Sequence, residues 1–100
     1  MTEAHLAAQD GDVKALSEIV DKYGHLVNAK DEHGWAPIHE GVRAGNKEIV
    51  DILLKKGADV NDKTENGGSV LWWAIQEHGR DSDIATYLES LGAELIGPEL

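Results

Sequence analysis

The chain has 100 residues, 41% of them hydrophobic and 28% charged, enough apolar content for one packed core and too much for a disordered segment. Nineteen acidic against nine basic residues leave a formal charge of −10, a sign that repels phosphate backbones and anionic lipid, so nucleic acid and membrane are excluded as first partners. Without cysteine there is no disulfide, thiolate zinc site or thiol nucleophile, and without a long apolar run the expected location is cytoplasmic or nuclear.

In chain order, Thr2 carries a hydroxyl that suits a helix N-cap, ahead of Ala7, Ala8, Gly11, Leu16, Ile19 and Val20. After an irregular stretch at Tyr23-Gly24-His25, Val27-Asn28-Ala29-Lys30-Asp31 is answered further on by Val60-Asn61-Asp62-Lys63, and Gly57-Ala58-Asp59 by Gly92-Ala93-Glu94. A period of about 33 residues signals a unit that cannot bury its apolar face alone and stacks on copies of itself.

The second unit is the clearest. Asp31-Glu32-His33-Gly34 reads as a turn with Gly34 at positive φ, and Pro37 opens a helix where its missing N–H costs nothing. Ile38 and Val42 face inward until Ala44-Gly45-Asn46 stops the helix. From Lys47 to Lys56 a stripe of Ile49, Val50, Ile52, Leu53 and Leu54 forms another helix, with Lys55 and Lys56 at the negative end of its dipole. Gly57 ends it, and Ala58-Asp59-Val60-Asn61 is expected to run on as extended chain.

The third unit has its turn at Asn66-Gly67-Gly68-Ser69, a helix capped by Ser69, about two extra residues near His78-Gly79-Arg80-Asp81, and a last helix carrying Ile84, Tyr87 and Leu88. Glu89 stands where the second unit has Leu54, as suits a terminal unit with solvent outside. Ile96 to Leu100 read either as a tail over the last helix or as the start of a link.

Gly34-Trp35-Ala36-Pro37-Ile38-His39, Gly45, Glu48-Ile49-Val50, Leu53-Leu54 and Gly57-Ala58-Asp59-Val60-Asn61 together resemble an ankyrin repeat. Thr2-Glu3-Ala4-His5 and Ser69-Val70-Leu71-Trp72 stand at the corresponding helix start. The resemblance implies an all-α solenoid of helix-turn-helix units over residues 1–100, with an N-terminal cap at about 2–30, a full repeat at 31–63 and a divergent C-terminal cap at 64–96. Ala36 replaces the family's capping threonine and Gly41 a helix-favouring alanine, each expected to lower stability by roughly 1 kcal/mol.

The same resemblance implies a non-catalytic, monomeric protein-binding module, either a freestanding regulator or a recruiting arm of a larger protein. Its concave face would be lined by Gln9, Asp10, Glu32, His33, Trp35, Arg43, Ala44, Lys63, Glu65, Asn66, Gln76 and Glu77. Trp35 either projects into that groove as an anchor or folds back onto the neighbouring turn; Trp72 is expected in the core, and Trp73 at a unit junction or partly in solvent. Asn61, after Asp59-Val60, resembles the ankyrin asparagines that are hydroxylated in animal cells, whereas its simpler role is to tie the backbone.

No enzyme chemistry is expected. His33 and His39 are not at a helical metal-ligand spacing, so no metal and no cofactor are expected, and His5 and His39 are expected to hold turns. Ser17, Ser69, Ser82 and Ser90 lack a nucleophile setting, and the turn at Asn66 lacks the lysine and spacing of a phosphate loop.

Overall fold

The computed structural model describes residues 1–98. It contains three helical hairpins: α1 (Glu3–Asp10) with α2 (Val13–Lys22), α3 (Pro37–Arg43) with α4 (Lys47–Lys55), and α5 (Val70–His78) with α6 (Asp83–Ser90). The first helices stack in the order α1, α3, α5, and α2 lies against α4 in the outer layer. Among the described residues the only β pairing is an isolated antiparallel bridge between Lys63 and Ser69.

Local chemistry explains where the helices begin. Thr2 Oγ1 accepts from the His5 amide while His5 Nδ1 accepts from the Thr2 amide at 3.1 Å, a reciprocal box. Asp12, Asn46 and Ser82 open the outer helices by accepting from the amides of Ala15, Ile49 and Ala85, and Ser69 opens α5 by accepting from that of Trp72. Ala36 at the start of α3 makes no side-chain cap, as its methyl dictates; its own amide donates instead to His39 Nδ1 at 3.0 Å.

The core consists of one inward stripe per helix. Leu16, Leu53 and Leu88 are fully buried, one on each outer helix, and each stabilises the fold by about 1.5–3 kcal/mol. Ala4, Ala8, Ala36 and Ala74 are likewise without exposure, so the inner helices approach on small residues. Ile19, Ile52, Leu54 and Tyr87 are only partly covered, which makes the buried stripes narrower than the sequence pattern, and Glu89 is exposed.

Three expectations are corrected. The segment after Gly57 is not extended at its end: Asp59 Oδ1 accepts from the Asn61 amide at 2.8 Å and draws residues 59–62 into a turn. Trp72 is half-buried rather than core, because no helix of the described residues stacks beyond α5 and its ring lies against Gly68 and Gly97. Gly41 is not a defect, since a methyl there would lie 2.8 Å from Ile49 Cγ2 and 3.3 Å from Val50 Cγ2. The cavity that alanine would need is already filled by α4.

Gly41→Ala therefore sets a helix-propensity gain of about 1 kcal/mol against overpacking of about 1–3 kcal/mol. The expected net result is a loss of roughly 1 kcal/mol, read from urea midpoints; a variant more stable than the parent would contradict this packing.

Beyond α6, residues 93–98 fold back along the start of α5. Ser69 Oγ donates to the Glu94 carbonyl at 2.8 Å and accepts from the Ile96 amide at 3.1 Å, and the Ser69 amide donates to the Ile96 carbonyl at 2.9 Å. Residues 96–98 thus pack on the start of α5 rather than over the last helix, while Glu99 and Leu100 lie outside the described residues.

Candidate functional site

The first helices and the turns that precede them line two recesses. Asp31 shapes the turn before α3: its Oδ1 accepts from the amides of His33 (2.8 Å) and Trp35 (2.9 Å). Partial burial would raise this carboxyl, but those two amides together with the neighbouring His5 and His33 more than offset it and hold it below its ordinary value. Gly34, at φ +75°, lets the turn reverse and brings the His33 carbonyl within 3.0 Å of the Glu65 amide in the next turn.

Two buried histidines fix the turns against each other. The ring of His5 bonds Thr2 through Nδ1 and meets the Trp35 carbonyl at 2.6 Å through Nε2. His39 accepts from the Ala36 amide and reaches the Asp62 carbonyl at 3.3 Å. Burial lowers the His39 pKa, against the raising influence of Asp62. Both rings are without solvent exposure and serve the scaffold.

The tryptophans form a row across the second and third units. Trp35 is half-buried and stands 4.7 Å from Trp73 between ring centroids, tilted by 55°, and Trp73 meets Trp72 edge-on at 4.8 Å. Trp35 also touches the His39 ring at 5.6 Å and receives the Arg43 guanidinium at 5.7 Å from its centroid. Trp35 thus packs on the first helix of the next unit and keeps part of its ring open. Trp73, not Trp72, occupies the unit junction, and its indole N–H donates to Thr64 Oγ1 at 3.0 Å.

This row makes the floor of a recess of about 430 Å³ walled by His33, Trp35, Thr64, Glu65, Asn66 and Trp73. A shallower one of about 340 Å³ lies beside it between Gln9, Glu40, Arg43 and Ala44, where Gln9 Nε2 donates to the nearly buried Glu40 carboxylate at 2.6 Å. Asp10, Glu32, Lys63, Gln76 and Glu77 are exposed but line neither recess. Thr64, Trp73 and Glu40 are wall residues that sequence reasoning did not place in the groove. Only a three-dimensional signal finds them, because Thr64 and Trp73 are nine positions apart and meet through a hydrogen bond.

At the helix ends, His78 Nε2 lies 2.9 Å from the carbonyls of both Val42 and Arg43, so α5 caps α3 across the unit boundary. Asn61 Oδ1 accepts from the Glu94 amide at 2.8 Å, and Asn28 Nδ2 donates to the Gly57 carbonyl at 3.1 Å. Each asparagine therefore ties its unit to the following one.

Among the described residues no group of three or more His, Asp or Glu side chains is placed to hold a metal ion, and no helix is long and apolar enough to cross a membrane.

Comparison with known proteins agrees with this architecture. Residues 4–96 match the family described as ankyrin repeats (3 copies). The chain is 36% identical over 63 residues to mouse 2-5A-dependent ribonuclease, a match covering 63% of this chain and 9% of that protein. It is 30% identical over 90 residues to rat ankyrin repeat and SAM domain-containing protein 6, covering 90% of this chain and 10% of the relative. It is 37% identical over 59 residues to the human NAD-capped RNA hydrolase NUDT12, covering 59% of this chain and 13% of that enzyme. The chain thus spans about a tenth of the length of these relatives. The crystal structure of the human ASB11 ankyrin repeat domain superposes with a TM-score of 0.81 at 26% identity, over 94% of this chain and 41% of that one.

Proposed function

This chain belongs to the ankyrin repeat family, whose members are protein-interaction modules, and on that footing we propose that it is a non-catalytic module that binds a partner protein through its concave face. The observation that carries the reading is the recess floored by Trp35 and Trp73, with Arg43 against Trp35 and a polar rim of His33, Glu65 and Asn66. Partly desolvated aromatics surrounded by polar groups are the composition of a binding hot spot. The rigid turns hold that surface in place before binding, which limits the entropy lost on association.

Trp35→Ala combined with Arg43→Glu tests the proposal. Truncating a hot-spot aromatic costs about 2 kcal/mol or more, so proteins captured by the parent chain are expected to be depleted at least about tenfold. Glu48→Lys, on the outer helix α4, is the control and should capture normally. Undiminished capture by a double variant that keeps its helical circular dichroism would remove the groove from the account.

A second reading is that the same module recruits partners or substrates for a larger protein. It is favoured by the small share of each relative that this chain spans, the ribonuclease and the RNA hydrolase among them. A transcript whose reading frame continues beyond Leu100 supports the arm, and one that stops there supports a freestanding regulator.

A further inference from the structure

Resting on the binding-groove reading, we propose that the occupant of the recess floored by Trp35 and Trp73 is an arginine side chain from a basic segment of the partner protein. The walls supply what a guanidinium needs, aromatic faces beside a carboxylate. Trp35 and Trp73 offer indole faces, whose quadrupole attracts cations. With centroids 4.7 Å apart, the two rings touch and admit nothing between them, so a guest lies over their open sides.

Glu65 stands in the same wall, exposed, and its carboxylate takes part in no hydrogen bond or ion pair among the described residues. Asn66 turns its Oδ1 inward to accept from Thr64 Oγ1 (2.7 Å) and the Gly68 amide (3.0 Å). Thr64 Oγ1 is occupied by Trp73 and Asn66. Of the wall's side chains, the Glu65 carboxylate is therefore the charged acceptor left free for a donor.

Charge favours the same guest. Arg43 already rests 5.7 Å from the Trp35 ring yet lies outside the walls of this recess, so the ring accepts a cation while no lysine or arginine lines the recess. The chain's −10 charge steers a basic segment toward it and repels an acidic one. A guanidinium is planar and weakly hydrated, so it can stack on indole while pairing a carboxylate, whereas a lysine ammonium meets these demands less completely.

The probe is the blocked pentapeptide Gly-Gly-Arg-Gly-Gly, with its neutral citrulline analogue as control, titrated into the isotopically labelled chain. The three indole N–H resonances report separately. Saturable shifts are expected for Trp35 and Trp73 with the arginine peptide, with Trp72 nearly still. Citrulline should bind at least about fivefold more weakly, and Glu65→Gln should weaken the arginine peptide by about threefold. Equal shifts with citrulline, no saturation, or an unchanged affinity in Glu65→Gln would overturn the cation seat. If in that event Trp35→Ala with Arg43→Glu still abolishes capture of partner proteins, the groove stands and only its occupant has been misidentified.

Discussion

Gly34→Ala is expected to destabilise the chain by roughly 2–4 kcal/mol, a large part of the about 5–15 kcal/mol that a domain of this size possesses. Two costs add. The residue sits at φ +75°, where a Cβ is strained. That Cβ would also lie 2.7 Å from the Glu65 amide nitrogen and 3.3 Å from both Glu65 Cα and the Thr64 carbonyl carbon. All three are backbone atoms, so no rotamer change relieves the contact. The two turns must separate, and the bond from the Glu65 amide to the His33 carbonyl goes with them. Gly24→Ala is the matched control, because a Cβ there meets nothing within 4 Å and φ is not left-handed. Urea midpoints decide the matter: a Gly34→Ala midpoint as high as that of Gly24→Ala would show that the turn contact carries no such constraint.

His39→Leu should be comparably severe. Leucine restores much of the ring's volume but leaves the Ala36 amide and the Asp62 carbonyl without their partner, at about 1–3 kcal/mol for each buried group. A summed loss of roughly 2–6 kcal/mol is expected, measured by denaturant unfolding. His39 also predicts a pH dependence. Burial lowers its folded pKa below the ordinary 6.5, helped by Lys30 and opposed by Asp62. The unfolded chain then binds the proton more readily than the folded one. The stability contributed by neutral His39 is complete above pH 6.5 and is lost as pH falls from there through the lower folded value. Asp31 and Asp51, whose pKa values are also lowered, add their own losses only in the carboxylate range below. The parent should therefore weaken between pH 7.5 and 5 with a steeper slope than His39→Leu; parallel slopes would place the proton uptake elsewhere.

Much of the fold was legible in the sequence because its signals are local. Pro37, Gly45 and Gly57 bound helices through backbone geometry, and Thr2 and Ser69 cap them through a hydroxyl three residues from its target amide. The inward positions of Leu16, Leu53 and Leu88 follow from a 3.6-residue period that any solvent-facing helix must obey. Even the structural roles of His5 and His39 were readable, since the resemblance puts them at turn-binding positions.

The groove was legible only in outline. That His33, Trp35, Glu65 and Asn66 share one recess, whereas Glu32, Lys63, Gln76 and Glu77 line neither recess, depends on how adjacent turns abut. The two adjacent tryptophans Trp72 and Trp73 look alike in one dimension. Their roles separate because one lies at the junction with Trp35 and the other against the returning tail. Likewise Gly41 reads as a poor helix residue until Ile49 is seen filling the place of its missing methyl.

By itself, the order of amino acids determined which segments coil, where each coil starts and stops, and that the units repeat, since those outcomes depend on contacts within a few residues. Only the tertiary structure decided which aromatic faces remain open and which carboxylate stays unpaired. Those properties arise between side chains far apart in the chain, such as Trp35 and Trp73, 38 positions apart, and their separation in space is set by the packing of one unit on the next.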